Sequence, residues 1–177
     1  MSASIANLLQ RNEETSKTHT PIPTLAELKA AGSPGPKTMI VTCMDPRCIP
    51  EVFMNINIGE VVVSRNAGGN VRHAVRDISI MDQLFGLEEL CIIHHTDCGT
   101  LSFTNDGLRS KVKANVEEKY WPEVDRIDWG ANTDIVESVK GDLKWVKESP
   151  LMSDQVKKGA QGFVFDIKTG KVEKVEV

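Results

Sequence analysis

The sequence has few aromatic residues, no excess of basic residues and no long apolar run. Aromatic residues make up 5% of the 177 residues and the net charge is −4, so the chain lacks the stacking side chains and basic surface that nucleic-acid binding requires. No apolar run approaches the roughly 18 residues that would span a bilayer. The N-terminus lacks the basic-then-apolar order of a secretory signal and carries Glu13 and Glu14. We therefore expect a cytoplasmic protein that binds neither nucleic acid nor a membrane.

Cysteine is also scarce, with four residues at positions 43, 48, 91 and 98. In a chain without a secretory signal, cysteines are free thiols, metal ligands or nucleophiles more often than disulfides. Their sequence neighbours therefore decide which of these roles each one has.

Two regions are distinguished along the chain. Residues 1–35 place Ile5, Leu8 and Leu9 on one helical face and end in a cluster of glycine and proline. We expect this N-terminal helical arm to pack on a partner subunit or, equally, on its own domain. Residues 36–177 have a length and an apolar content that suit a single domain with a sizeable buried core.

Strands and helices alternate through the second region. Short apolar or β-branched runs predict strands, and apolar positions spaced by three to four residues predict helices. The predicted strands cover 38–42, 60–64, 90–93, 162–167 and 171–177, and the predicted helices cover 74–87, 107–120 and 134–146, in addition to a short helix over 25–31 in the first region. This order predicts an α/β fold with a mostly parallel four-stranded sheet, a C-terminal edge strand or hairpin, and helices on both faces.

Two polar segments follow buried strands of the predicted sheet. Cys43, Asp45 and Arg47 follow the first strand, whereas His95 and Cys98 follow the third. Because parallel sheets form their sites at the carboxyl ends of the strands, we expect the two segments to meet. Two thiolates and one imidazole suit zinc, and three protein ligands leave a fourth position open for catalysis. Kept ionised by the adjacent arginine, the aspartate would accept a hydrogen bond from a zinc-bound hydroxide.

These segments resemble the motifs of the β-class carbonic anhydrases, and most of all their compact members. The resemblance covers roughly residues 36–175 and includes the closing segment GFVFDIKTG. Its other motifs are Cys43-x-Asp45-x-Arg47, Arg65-Asn-Ala-Gly-Gly69 and, nearly fifty residues after the first, His95-x-x-Cys98-Gly99.

The resemblance implies a zinc enzyme that hydrates carbon dioxide reversibly to bicarbonate and a proton. It implies that Cys43, His95 and Cys98 bind one Zn²⁺ per chain, and that Asp45 and Arg47 form the catalytic dyad. Members of the family form dimers, or tetramers built from dimers, with active sites at the subunit interface. The resemblance therefore implies a homo-oligomer in which the N-terminal arm reaches a partner.

Two alternative functions use the same residues. Relatives of the family hydrolyse carbonyl sulfide or carbon disulfide at the same kind of zinc site. Pro46 stands where a small polar or small apolar residue is more usual, which leaves the preferred substrate open. Alternatively, Cys48 would close the metal site as a fourth ligand and make the chain a non-catalytic, zinc-stabilised interaction module. We expect Cys48 and Cys91 instead to be small buried apolar residues.

The neighbours of these motifs have simpler predicted roles. Adjacent side chains of a strand point to opposite faces, so His94 is expected to be a hydrogen-bonded core residue rather than a ligand. His73 is expected at the surface, with proton transfer as its alternative role. Asp97 is expected to cap a helix, and Gly99 to open that helix and contact an anionic substrate. The Gly68–Gly69 pair lacks the full pattern of a phosphate-binding loop, and the resemblance implies that it shapes the entrance of the site.

Overall fold

The computed structural model describes residues 3–177, and the chain divides into two compact units. The first ends at Pro34, and the second covers Gly35–Val177. The first unit contains α1 (Ile5–Ser16) and α2 (Leu25–Ala30), and no residue of either helix is buried. In the part of the chain that is described, no helix has both the length and the apolar character needed to cross a membrane. The packing of the arm on a partner subunit stays a prediction.

Strands and helices alternate along the second unit. Its strands are β1 (Thr38–Cys43), β2 (Val62–Asn66), β3 (Glu89–His95), β4 (Ala160–Phe165) and β5 (Val172–Lys174). Its α-helices are α3 (Pro50–Phe53), α4 (Val75–Phe85), α5 (Asn105–Lys113), α6 (Trp121–Asp125), α7 (Ile135–Glu148) and α8 (Asp154–Gly159). Short 3₁₀ segments cover Ala67–Gly69, Val71–Ala74, Gly99–Ser102 and Glu118–Tyr120.

The strands form one sheet in the order β2-β1-β3-β4-β5. The first four strands run parallel, and β5 pairs antiparallel with β4 at the edge, which confirms the predicted fold class. Strands β1 and β3 are direct neighbours, with Thr42 beside Ile93. Their carboxyl ends therefore lie next to each other at one edge of the sheet, where the polar segments begin.

Alternating side chains give the sheet two apolar faces. Met39, Val41 and Ile92 belong to a large buried cluster that is completed by α4, α7 and α8. Ile40 and Ile93 belong to a smaller cluster on the other face, which includes Cys43 and Cys98 and contacts α3. Fully burying one such aliphatic side chain contributes about 1.5–3 kcal/mol. The larger cluster thus holds the sheet together without relying on the polar segments.

The helix predicted over 107–120 is wrong in its second half. Helix α5 ends at Lys113, and a 3₁₀ turn and the short α6 follow. Trp121 Nε1 donates a hydrogen bond to the carbonyl of Lys113 (3.2 Å), and Asn115 Nδ2 donates to the carbonyl of Lys111 (2.8 Å). These side chains satisfy carbonyls that a longer helix would use, so they end the helix early.

Other element boundaries shift by about two residues. The strand predicted over 60–64 begins later because the carboxylate of Glu60 accepts the backbone N–H of Asn57 (2.7 Å) and so belongs to a turn. Pairing with β1 then extends this strand to Asn66. Helix α4 ends where Gly86 adopts a left-handed conformation (φ +65°), as the position of that glycine predicts. The sequence pattern does not predict the short helices α3 and α8.

Candidate metal centre

Three potential metal ligands meet at the carboxyl ends of the two central strands. Cys43 is the last residue of β1 and His95 the last of β3, while Cys98 follows in the loop after β3. The two sulfurs are 3.8 Å apart, and a nitrogen of His95 lies within 4.8 Å of both. All three residues are buried. The sheet therefore brings together the three side chains predicted to bind the metal.

The histidine of this cluster has one nitrogen satisfied and one free. Its Nδ1 lies 2.9 Å from the carbonyl oxygen of Thr96, to which it donates a hydrogen bond. Its Nε2 is buried and has no hydrogen-bond partner. A buried polar atom without a partner costs free energy unless a ligand satisfies it. The contact to Thr96 is also the kind of interaction that orients a metal-binding histidine, so His95 fits a metal.

The two cysteines of the cluster are hydrogen-bonded to each other through their sulfurs. The hydrogen bond between the two sulfurs raises the pKa of Cys43, together with burial, and lowers the pKa of Cys98. The Thr100 hydroxyl also donates to Cys98 and lowers its pKa further. A cation bound by both sulfurs would replace the proton of the hydrogen bond between them. Two thiolates and an imidazole form a donor set that zinc favours.

Asp45 and Arg47 form a close ion pair beside this cluster. Arg47 donates from Nε to Asp45 Oδ1 (2.9 Å) and from Nη2 to Oδ2 (2.7 Å). These bonds hold the pKa of Asp45 well below its usual range. The Oδ2 atom lies 3.9 Å from the free Nε2 of His95. An ionised carboxylate, which can only accept hydrogen bonds, thus lies beside the free nitrogen of His95.

Sequence reasoning missed two further contacts of this pair. Asp97 is not a helix cap: it has a left-handed backbone (φ +57°), and its carboxylate accepts from Arg47 Nη1 at 2.7 Å. The Arg65 guanidinium donates to the carbonyls of Cys43 (3.1 Å) and Asp45 (2.7 Å). A non-glycine residue of left-handed conformation cannot be identified from its sequence neighbours, and the arginine contacts join segments that are distant in the sequence.

The neighbouring cysteine and histidine lie outside the cluster. Cys48 is buried with its sulfur 3.2 Å from the Thr42 hydroxyl, and it does not belong to the three-residue group. His94 is buried on the opposite face of the sheet. Its Nδ1 lies 2.6 Å from Ser138 Oγ, and its Nε2 lies 3.2 Å from the carbonyl of Gly69. Both residues therefore have the core positions that the sequence predicts.

A cleft of about 270 Å³ opens onto the cluster. Its lining includes the apolar side chains of Met44, Ala67 and Phe103, and also Gly68 and Gly99. Gly99 begins a single 3₁₀ turn rather than the predicted helix, and its contact with an anion stays a prediction. Of the pair at 68–69, Gly68 lines this cleft and Gly69 does not.

His73 does not contribute to this cleft. Its Nε2 lies 3.8 Å from a carboxylate oxygen of Asp128, and the residue is absent from the lining. This position agrees with the expected surface role.

Comparison with known proteins identifies the family. A family model described as carbonic anhydrase matches residues 38–172. The β-carbonic anhydrase 1 of Mycobacterium tuberculosis is 33% identical over 156 residues, which cover 82% of this chain and 90% of the relative. The chain belongs to the β-carbonic anhydrase family. The residues matched by the family model, 38–172, include the three candidate ligands Cys43, His95 and Cys98 and the ion pair of Asp45 and Arg47.

Other similar proteins include solved carbonic anhydrases and a carbon disulfide hydrolase. A carbonic anhydrase from Streptococcus mutans has a TM-score of 0.80 at 30% identity, covering 99% of this chain and all of that one. A tetrameric β-carbonic anhydrase from Sordaria macrospora, at 18% identity, shares the fold with a TM-score of 0.64 over 97% of this chain and 96% of that one. A carbon disulfide hydrolase from Acidianus is 29% identical over 156 residues, covering 76% of this chain and 75% of the relative.

Proposed function

We propose that this protein is a zinc-dependent carbonic anhydrase that hydrates carbon dioxide reversibly to bicarbonate and a proton. The observation that carries the proposal is the buried, unpartnered Nε2 of His95, which faces two cysteine sulfurs and the carboxylate of Asp45. In this proposal Cys43, His95 and Cys98 hold one Zn²⁺ per chain. When bound, zinc supplies Lewis acidity, which lowers the pKa of water and so provides a nucleophile near neutral pH.

The chain's own residues would orient that nucleophile. The Asp45 carboxylate is ionised and can only accept hydrogen bonds, so its Oδ2 would hold the hydrogen of the attacking oxygen and leave a lone pair free for the substrate. Arg47 keeps both carboxylate oxygens in place through two hydrogen bonds. Fixing the nucleophile in this way reduces the entropic cost of reaching the transition state.

The cleft suits a small apolar substrate. Met44, Ala67 and Phe103 contribute apolar side chains to its wall. Carbon dioxide has no net dipole and no proton to donate, so it gains from apolar contacts and needs no complementary charge. The product bicarbonate is charged and is poorly matched by the same wall, which favours its release.

Stopped-flow hydration of carbon dioxide by the zinc-loaded protein tests this function. We expect catalysis well above the buffer rate, and we expect Asp45→Asn to lower turnover by about 100-fold or more while zinc stays near one per chain. Asp106→Asn, which changes an exposed carboxylate in the first turn of α5, is the matched control and should leave turnover unchanged. A wild-type rate no higher than buffer would contradict the proposal, whereas an active Asp45→Asn variant would remove that residue from the mechanism.

Hydrolysis of carbonyl sulfide or carbon disulfide is the second candidate. The similarity to a carbon disulfide hydrolase supports it, and so does the apolar wall of the cleft, since both molecules are linear and uncharged, carbon disulfide has no net dipole and carbonyl sulfide has only a small one. Attack of the same nucleophile on carbonyl sulfide would break its carbon–sulfur bond and give carbon dioxide and hydrogen sulfide, and carbon disulfide would require two such hydrolyses and two molecules of water. Comparing sulfide release with bicarbonate formation by one zinc-loaded preparation ranks the two activities.

We also propose that the protein is a homo-oligomer, a dimer or a tetramer built from dimers, in which the arm of one chain packs on a second copy. Ile5, Leu8 and Leu9 of α1 are exposed apolar residues. The sheet separately carries an apolar groove of about 300 Å³ lined by residues that include Cys91 and Phe163. A second copy of this chain supplies an apolar helix face of the kind that the groove would bury.

Light scattering of two variants tests this assembly. Replacing Leu8 by Glu introduces a charge on the apolar face of α1 and should shift the protein toward the monomer. Gln10→Glu introduces the same charge on the other side of the helix and should leave the mass unchanged. A wild-type protein that is monomeric at micromolar concentration would contradict the proposal.

A further inference from the structure

Thr100 lies directly beside one of the two cluster sulfurs. Its Oγ1 is 3.2 Å from the Sγ of Cys98, and the residue is only 4% exposed. Its methyl group faces Gly68: a Cβ added to that glycine would come within 3.0 Å of Thr100 Cγ2. The threonine is therefore held on one side by packing and has its hydroxyl directed at sulfur on the other.

Asn132 determines the direction of this hydrogen bond. Its side-chain Nδ2 donates to Thr100 Oγ1 (3.1 Å), and its backbone N–H donates to the Thr100 carbonyl (3.0 Å). A hydroxyl has one proton and two lone pairs. Because Asn132 donates to one lone pair, the hydroxyl proton remains available for the sulfur, and Thr100 is the donor to Cys98.

We propose that Thr100, oriented by Asn132, is a positioning residue that withdraws electron density from the Cys98 sulfur and makes the bound metal more electrophilic. This inference rests on the proposed function, since it requires a metal held by Cys98. Two thiolates cancel the charge of a divalent metal, so a hydrogen bond to one of them restores part of its Lewis acidity. Hydrogen-bond partners of metal ligands are known to alter activity or metal affinity by about 10- to 100-fold.

Substitutions at Thr100 separate the hydroxyl from the methyl group. Thr100→Val removes the donor and keeps the shape, whereas Thr100→Ser keeps the donor and removes the methyl group. In cobalt-loaded protein we expect Thr100→Val to shift the thiolate-to-cobalt charge-transfer band to longer wavelength, because the sulfur becomes more electron-rich. With zinc bound, we expect its turnover to fall about tenfold with little change in KM. Thr100→Ser should match the wild type in both measurements.

A second variant keeps the Thr100 hydroxyl and changes only the atom to which it donates its hydrogen bond. Asn132→Asp replaces the amide donor by a carboxylate acceptor, which would draw the Thr100 proton away from the sulfur. We expect the same direction of band shift as in Thr100→Val, although the threonine is still present. If Thr100→Val does not fold, Asn132→Asp still tests whether the Thr100 hydroxyl donates to the Cys98 sulfur.

The outcomes distinguish this inference from the proposed function. If the wild type forms no thiolate-to-cobalt band, the metal site itself is wrong and both proposals fail. If the wild type shows the band and hydrates carbon dioxide, but Thr100→Val and Asn132→Asp leave the band and turnover unchanged, only the role of Thr100 is wrong. A purely structural role predicts loss of stability in Thr100→Ser and no band shift in any variant.

Discussion

Arg47 connects the two polar segments by side-chain hydrogen bonds. It donates to both carboxylate oxygens of Asp45, to the carboxylate of Asp97 and to the carbonyl of Asp97 (3.0 Å). Exposed ion pairs usually contribute less than about 1 kcal/mol to stability. The side chains of Arg47 and Asp97 are both solvent-exposed, so we assign this network to orientation of the dyad rather than to stability of the fold.

A glycine is required at position 69 both by the backbone conformation there and by the atoms that surround it. Its φ is +71°, and a Cβ at this position would lie 2.9 Å from the carbonyl carbon of Thr42 in β1. We expect Gly69→Ala to lower the free energy of unfolding by about 3 kcal/mol or more, since it combines a left-handed backbone with a collision against a strand. Urea denaturation monitored by circular dichroism measures the change.

Gly170 provides the matched control for this substitution. Its φ of +73° is nearly the same, but a Cβ there would meet no atom within 4 Å. Gly170→Ala should cost only the conformational penalty of about 1–2 kcal/mol. Equal losses in the two variants would contradict the collision with β1.

At the scale of secondary structure, Asp166 holds the turn between β4 and β5. Its Oδ1 accepts the backbone N–H of Lys168 (2.8 Å), and this bond lowers the pKa of the carboxyl group. A lowered pKa in the folded state means that the ionised group stabilises the fold above its unfolded pKa of about 3.9. This stabilisation is lost as the pH falls through the lower, folded-state value.

The pH dependence of an alanine variant tests this role. Asp166→Ala should be less stable than the wild type by a constant amount between pH 5 and pH 7, and the difference should shrink below about pH 4. Urea denaturation at several pH values measures it. A difference that grows toward low pH would assign the effect to something other than the ionised carboxyl group.

The larger part of the second unit's core contains none of the candidate metal ligands. The larger apolar cluster joins the sheet to α4, α7 and α8 without using the candidate ligands. Removal of zinc by a chelator should therefore abolish activity while the circular dichroism spectrum stays that of a folded protein, with only a lower melting temperature. Re-addition of zinc should restore activity.

Unfolding in step with zinc loss would contradict this expectation. It would instead support the non-catalytic, zinc-stabilised module that a closed metal site predicts. The position of Cys48, outside the three-residue group, already argues against such a closed site.

The sequence by itself was sufficient for the fold class and for the residues of the candidate metal centre. Apolar spacing is a local property, and the two polar segments after the strands are short enough to identify directly. The topology then brings Cys43 and His95 together because parallel strands end at one edge of the sheet. The boundaries of strands and helices were less well predicted, since β2 takes its limits from pairing with β1, and α5 ends at hydrogen bonds from Asn115 and Trp121.

Only the tertiary structure decided how the centre is supported. Arg47 and Asp97 are 50 residues apart in sequence, and Thr100 and Asn132 are 32 apart. No spacing rule connects such pairs, because each contact depends on where two loops lie after the sheet has formed. The free nitrogen of His95 is also a tertiary feature, since it exists only because the other nitrogen is bonded and the surrounding core excludes further partners. Short local motifs therefore identify the candidate ligands, whereas the orientation of their side chains depends on packing between distant parts of the chain.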